Sequence, residues 1–218
     1  MRASPSTKPE LSSAFDPSAL WPLPRAFYAK PVLYVARACI GKLLVHRRRG
    51  QLLVGRIVET EAYRGPEDRA AHSFQGRRTA RTEAMYGPAG HAYMFVIYGL
   101  HWNFNIVTGR PGQPHAVLVR AVEPLCGIEL MAARRGPGVR HRDISNGPGK
   151  LCQAFGLDRR HYASDLCHGP LYLAAGSSAR VARSPRIGID YAGSFAKKPW
   201  RFYDPKSSCV SRPPKRQT

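Results

Sequence analysis

Residues 42–63, KLLVHRRRGQLLVGRIVETEAY, hold two apolar, β-branched runs separated only by the basic turn RRRG. Runs of that length and composition favour extended strands, and so short a connection pairs them with each other. The segment therefore predicts an antiparallel hairpin, with Arg47–Arg49 as a solvated turn that could also touch phosphates. The pattern recurs in HAYMFVIYGLHWNFNIVTG, aromatic and β-branched on both sides of Tyr98-Gly99-Leu100, which reads as a second hairpin. HAVLVRAVEP, residues 115–124, supplies a further strand. Helical periodicity is confined to shorter pieces. In PVLYVARACI, Val32, Leu33, Ala36 and Ile40 share one helical face, and Gly41 is a stop. Pro124 is placed to start a helix through PLCGIELMAARR that ends at Gly136, and NGPGK precedes a short helix, KLCQAFGL. Strands cluster early and centrally with helices around them, so the expected class is α+β, one domain, largely antiparallel. Residues 1–24, rich in Pro, Ser and Ala without a period, are expected to form a flexible arm. Residues 25–212 form the folded domain and 213–218 a basic tail.

Charge narrows the partner. The chain of 218 residues carries 34 Lys and Arg against 14 Asp and Glu, a formal net charge of +20, while 43% of its residues are hydrophobic. A disordered basic tail would be far less apolar, so this is a folded domain with an excess of positive surface, which attracts a polyanion, most simply nucleic acid. No amphipathic basic helix and no apolar run long enough to span a bilayer compete with that reading. The five cysteines form no CxxC pair and fit no zinc or iron–sulfur spacing, so free thiols in a reducing compartment are expected. The N-terminus has no apolar core of a secretory leader. The expected location is inside the cell: cytoplasm and nucleoid in a bacterium, nucleus in a eukaryote.

Several catalytic patterns are missing. NGPGK is not a P-loop, because Leu151 stands where Ser or Thr is needed; it reads as a Gly-rich turn at a helix start, able to hold a phosphate or simply to enter the helix. No HExxH pair and no Gly-x-Ser-x-Gly elbow occurs. Residues 64–90 form a long loop with little period, a kind of segment that is usually functional or disordered. RIVETEAY says more. On a regular strand Ile57, Glu59 and Glu61 would share one face and Arg56, Val58 and Thr60 the other. A carboxylate kept at a strand end in so basic a chain is either a general base that activates a water or an arginine's partner, and spacing alone favours the partner. Tyr98 sits at the turn of the second hairpin, where a core side chain is least expected. An aromatic there could wedge into a base stack, and aromatics a few residues earlier could stack on an extruded base.

VETEAY, GPEDRAAHS, YGLHWNFNI, VLVRAVEP, GPGKLCQA and AKKPWRFY, taken in order, resemble the alkyladenine DNA glycosylases, the mammalian type of 3-methyladenine DNA glycosylase. The resemblance runs from about Ala36 to Ser211. It implies a single mixed domain around a curved antiparallel sheet, with a β-hairpin that enters the DNA minor groove. It implies hydrolysis of the N-glycosidic bond of damaged purines, without metal or organic cofactor, on double-stranded DNA. A monomer is expected, since a basic face that wraps a duplex leaves little reason for a dimer. By resemblance Glu61 is the general base and Arg120 helps hold the water or the base. Tyr63, His72, Phe95, Asn105 and Leu118 fall on the base pocket, with the His72 main chain against the flipped base and Asn105 crowding the exocyclic amine of guanine. Tyr98 falls on the intercalating wedge. Phe95 departs from the pattern, since a second stacking Tyr is expected there; the ring is kept and a hydroxyl is lost. Lys150, Lys197, Lys198 and Arg201 are candidates for phosphate contacts.

Two other readings remain open from sequence. A glycosylase with lyase activity needs an amine nucleophile, and no Lys lies within the motifs that build the pocket. A nucleic-acid-binding module of the same shape needs no buried carboxylate.

Overall fold

The long run 51–63 becomes the spine of the molecule. In the computed structural model, which describes residues 20–212, it forms one strand, β2 (Gln51–Tyr63). Its first half pairs with β1 (Leu43–Arg48) through a two-residue turn in which Arg49 and Gly50 both have positive φ. Its second half pairs with β8 (Arg201–Tyr203), and its other edge pairs along its length with β5 (His115–Cys126). Beyond β5 lie β4 (His101–Thr108) and β3 (Ala92–Ile97); beyond β1 lies β6 (Leu171–Ala174), and β7 (Ala182–Ser184) pairs with β8. The sheet order is β3-β4-β5-β2-β1-β6, with antiparallel pairing throughout and β8 and β7 branching from β2. Register shifts between β2 and β5 mark bulges that bend and twist the sheet. The expected single α+β domain with a curved, mostly antiparallel sheet is what the chain forms.

Among the described residues four α-helices pack on this sheet: α1 (Arg25–Tyr28), α2 (Val32–Ala38), α3 (Ile128–Arg135) and α4 (Pro148–Phe155). Val35 and Ala36 of α2 and Leu151, Ala154 and Phe155 of α4 pack with Ile57, Phe104, Ile106, Val117 and Val119 into the main core. Burying a side chain of this size stabilises by about 1.5–3 kcal/mol, which is what holds helices as short as these.

Three expectations need correction. Pro124 does not start a helix: it lies inside β5 opposite Gly55, where the register shifts. A bulge tolerates the missing N–H, and Gly127, at φ +73°, makes the turn from which α3 begins at Ile128. Ile57 does not share a face with Glu59 and Glu61. Ile57 joins the main core and Thr60 Oγ1 bonds the Ala36 carbonyl under α2, whereas Val58 packs in a separate cluster with Ala121 and Tyr203. The shifts at 57–60 add a residue and break strict alternation. The arm expected over 1–24 lies outside the described residues up to 19. Its last residues are docked, with Leu20 buried, Pro22 bridging to Ala174 and Leu23 N–H donating to Leu173. These apolar residues pair with the free edge of β6. The tail 213–218 also lies outside the described residues.

Candidate active site

The face of the sheet away from α2 carries a buried ionic quartet. Glu59 and Glu61 on β2 are fully buried, and Arg120 on β5 and Arg201 on β8 are nearly so. Arg120 Nε donates to Glu59 Oε1 at 3.0 Å and its Nη1 to Glu61 Oε2 at 3.3 Å; Arg201 Nε donates to Glu59 Oε1 at 2.6 Å. Two carboxylates face two guanidiniums, so the group is close to neutral, the condition for burying charge at all. Burial pushes the Arg120 guanidinium down, but Glu61 and Glu59 outweigh it and hold its pKa above the usual value. Glu61 has two more donors, the Tyr63 hydroxyl on Oε2 at 2.9 Å and the Ile187 N–H on Oε1 at 2.8 Å.

Against this quartet lies a cavity of about 190 Å³. Tyr63, Arg120 and Ile187, the partners of Glu61, all line it, as do His72, Tyr93, Phe95, Asn103, Asn105 and Leu118. Strand register explains the grouping. Glu61 stands opposite Leu118, Leu118 opposite Asn105, and Asn105 opposite Tyr93, so one row crosses four strands from the carboxylate to an aromatic wall. Phe95 and Asn103 form the neighbouring pair.

The long loop is brought to the cavity by a buried pair. Asp68 and Arg186 bond at 2.6 and 2.8 Å, both fully buried, and Arg186 also bonds the Ala62 carbonyl. This ties the loop to the strand end beside Tyr63, so that His72 reaches Tyr93, with Nδ1 2.8 Å from its hydroxyl. Burial, with Arg81 and Arg77 nearby, pushes the His72 pKa down to about 4, and burial raises Tyr63 well above its usual range. Both aromatic walls carry a guanidinium: Arg186 lies 4.6 Å from the Tyr63 ring centre and Arg81 5.5 Å from that of Phe95, and neither arginine lines the cavity.

A family model described as methylpurine-DNA glycosylase matches residues 26–208. The chain belongs to the methylpurine-DNA glycosylase family. It is an enzyme, a DNA glycosylase. Relatives carrying the name "Putative 3-methyladenine DNA glycosylase" are 48% identical in Desulfitobacterium hafniense, over 87% of this chain and 98% of the relative, and 47% identical in Methanocella arvoryzae, over 87% and 96%. One from Myxococcus xanthus is 49% identical over 88% of this chain and 94% of the relative. No helix among the described residues is long and apolar enough to cross a membrane.

The residues expected at the site divide clearly. Tyr63, His72, Phe95, Asn105, Leu118 and Arg120 line the cavity of this glycosylase, and Glu61 lies directly behind its wall. Tyr98 stands apart at the hairpin tip, 90% exposed, with φ +53° beside Gly99 at φ +68°. Lys150 and Lys197 are exposed, and Lys198 lies over the Phe195 and Trp200 rings. Arg201 is a correction: it is 3% exposed and engaged with Glu59, so it has no surface to offer a phosphate. Sequence reasoning missed Asn103, the 187–189 wall and the Asp68–Arg186 fastener. Asn103 alternates with Asn105, which is the available signal; the long-range ion pair leaves none.

Proposed function

We propose that this glycosylase takes an alkylated or deaminated purine, extruded from duplex DNA, into the 190 Å³ cavity and hydrolyses its glycosidic bond with a water activated by Glu61. The observation that carries the reading is the placement of a fully buried carboxylate behind an aromatic cavity, with three of its partners forming the wall. Extrusion costs a few kcal/mol of pairing and stacking, and a side chain that fills the gap offsets part of it. Tyr98 suits that role. It projects from a turn of type I′ character, closed by the Leu100 N–H on the Ile97 carbonyl, with exposed Leu100 beside it.

In the chemical step the water oxygen bonds to C1′ while the C1′–N bond breaks and its electron pair leaves with the base. The Glu61 carboxylate takes the water proton. Because Glu61 has no accessible surface, the water must replace one of its present partners. The Tyr63 hydroxyl on Oε2 both lines the cavity and has no second bond, so it is the one displaced. Arg120 keeps the carboxylate aimed. The base stacks on the faces of Tyr63 and Phe95 that their arginines leave free. No lysine is among the described residues lining the cavity, so the reading gives a monofunctional glycosylase with no Schiff base.

The test is single-turnover excision from a duplex with one hypoxanthine, ethenoadenine or 3-methyladenine-type lesion, followed by alkali. Strand cleavage only after alkali supports the reading. Tight, salt-sensitive binding without any abasic product would leave a DNA-binding module.

A further inference from the structure

A groove of about 570 Å³ runs on from the base cavity, and Ala70, His72 and Tyr191 line both. Arg69, Arg77 and Arg81 also line the groove, and no acidic side chain among the described residues does. The loop over 64–90 carries three carboxylates and five arginines, and every carboxylate is taken: Glu67 by Arg64, Asp68 by Arg186 and Glu83 by Arg78. Arg69, Arg77 and Arg81 are left without one. Arg81 lies over the Phe95 ring, whereas the exposed side chains of Arg69 and Arg77 donate to no other described residue. Tyr191 is the second unusual feature. It is 71% exposed, although the segment that carries it is fixed: the Ile187 N–H bonds Glu61, Arg186 is fastened to Asp68, and Ala192 is buried with Ile189 and Ala70. A Cβ on Gly193 would come 3.6 Å from Arg69 Nη1, so the guanidinium and the tyrosine share one wall.

We propose that this groove seats a phosphodiester flanking the extruded nucleotide, with Arg69 and Arg77 on the phosphate oxygens and the Tyr191 ring against the deoxyribose; the inference rests on the cavity receiving a base, as proposed above. The base stays bonded to C1′ until the chemical step, so its sugar lies at the mouth of the cavity, where Tyr191 stands. A flanking phosphate lies one bond system further out, over the arginines. Guanidiniums bind phosphate through paired N–H donors, and a tyrosine offers its apolar face to sugar carbons. A fully stacked duplex holds its phosphates away from this mouth. The seat therefore favours the extruded state and adds little to binding of undamaged DNA.

The test is a cycle between one arginine and one phosphate. The full-length wild type and Arg69→Ala are compared in single-turnover excision from lesion duplexes, read as the enzyme concentration that half-saturates the rate. The duplexes are unmodified or carry a neutral methylphosphonate at the phosphate 5′ or 3′ to the lesion. At one of the two positions the phosphonate should weaken wild-type binding about tenfold or more, the scale of one charge-assisted hydrogen bond. Arg69→Ala should lose a similar factor on the unmodified duplex and almost nothing further on that phosphonate. Losses that multiply at both positions, or Arg69→Ala binding like the wild type, would overturn the proposal. Tyr191→Leu should weaken binding to the lesion duplex and leave binding to an undamaged duplex unchanged; equal losses on both would overturn the sugar contact. Excision of no lesion by the wild type on the unmodified duplex would instead overturn the glycosylase pocket reading, and this inference with it.

Discussion

Replacing Glu61 by Gln removes one negative charge from the quartet and puts an amide nitrogen where Oε2 accepts. Gln keeps an oxygen for the Ile187 N–H, the Tyr63 hydroxyl can turn to accept from the new amide, and Arg120 loses its bond to position 61 but keeps Glu59 as its closer partner, 3.0 Å away against 3.3 Å for Glu61. The variant should therefore fold, at a cost of about 1–3 kcal/mol for one lost charged hydrogen bond, below the cost of orphaning a buried ion. For a domain of this size each kcal/mol lowers Tm by about 2–4 °C. Catalysis should suffer far more. A positioned general base contributes about 10²–10⁴-fold, equivalent to roughly 3–5 kcal/mol of barrier. The assay pairs single-turnover excision, read after alkali, with lesion-duplex binding by the same preparation. The expected result is excision reduced at least about a hundredfold with affinity nearly unchanged. Excision retained by pure, folded Glu61→Gln would refute the assignment of the base. Loss of binding in proportion to loss of excision would show that Glu61 serves only to hold the wall.

Tyr98→Ser should weaken binding to a lesion duplex while leaving Tm nearly unchanged, since it exposes no core and leaves a non-glycine residue at the same positive φ; equal affinity in both proteins would count against the wedge. Arg201→Ala should cost about 3–5 kcal/mol by leaving Glu59 short of a partner, with no change in the salt slope of binding. Lys197→Ala should leave Tm alone and reduce that log–log slope by about 0.9 if it meets a phosphate; a slope change for Arg201 and none for Lys197 would reverse the two roles. Burial holds His46 and His72 down to about 4, so the unfolded chain binds their protons first as pH falls below about 6.5. Stability is therefore complete above that pH and is lost progressively toward pH 4, by up to about 3 kcal/mol per histidine. Melts at stepped pH check this, and a flat Tm from pH 7 to 4.5 would contradict it.

What the sequence makes legible is local. The hairpins are visible because β-branched runs flank turns two or three residues long, and the pocket residues because they sit in strings such as ETEAY and GPEDRAAHS that have a family resemblance. The errors share one physical origin. Strict alternation fails at Ile57, and Pro124 reads as a helix start, because a bulge is a property of two strands in register, and one strand's sequence does not announce its partner's offset. Arg201 looks like surface charge because nothing in KKPWRFY reveals that Glu59, far away in the chain, waits across β8. The Asp68–Arg186 pair likewise joins segments more than a hundred residues apart.

Two features of this chain work against its stability, the buried quartet and the exposed tyrosine at the hairpin tip. Burying a four-charge network gains little over packing apolar side chains of equal volume and is often worse. Holding a tyrosine at positive φ with nearly its whole ring in water costs of order 1–3 kcal/mol and buries nothing in return. A chain under pressure for stability alone would place Gly or Asn at position 98 and apolar side chains at 59, 61, 120 and 201. On the proposed function both costs are offset when an extruded nucleotide is bound. In the proposed reading Tyr98 would then fill a gap in a duplex, and Glu61, already aimed by Arg120, would meet the water once the Tyr63 hydroxyl gives way. Glu59 fits the same logic from a step further back. It touches no cavity, yet it balances Arg120 and Arg201, so that Arg120 can hold Glu61 without leaving a buried cation uncompensated. Exchanging Glu59 for Gln should therefore lower stability more than exchanging Glu61, and lower excision less, since Glu59 faces two arginines and no water.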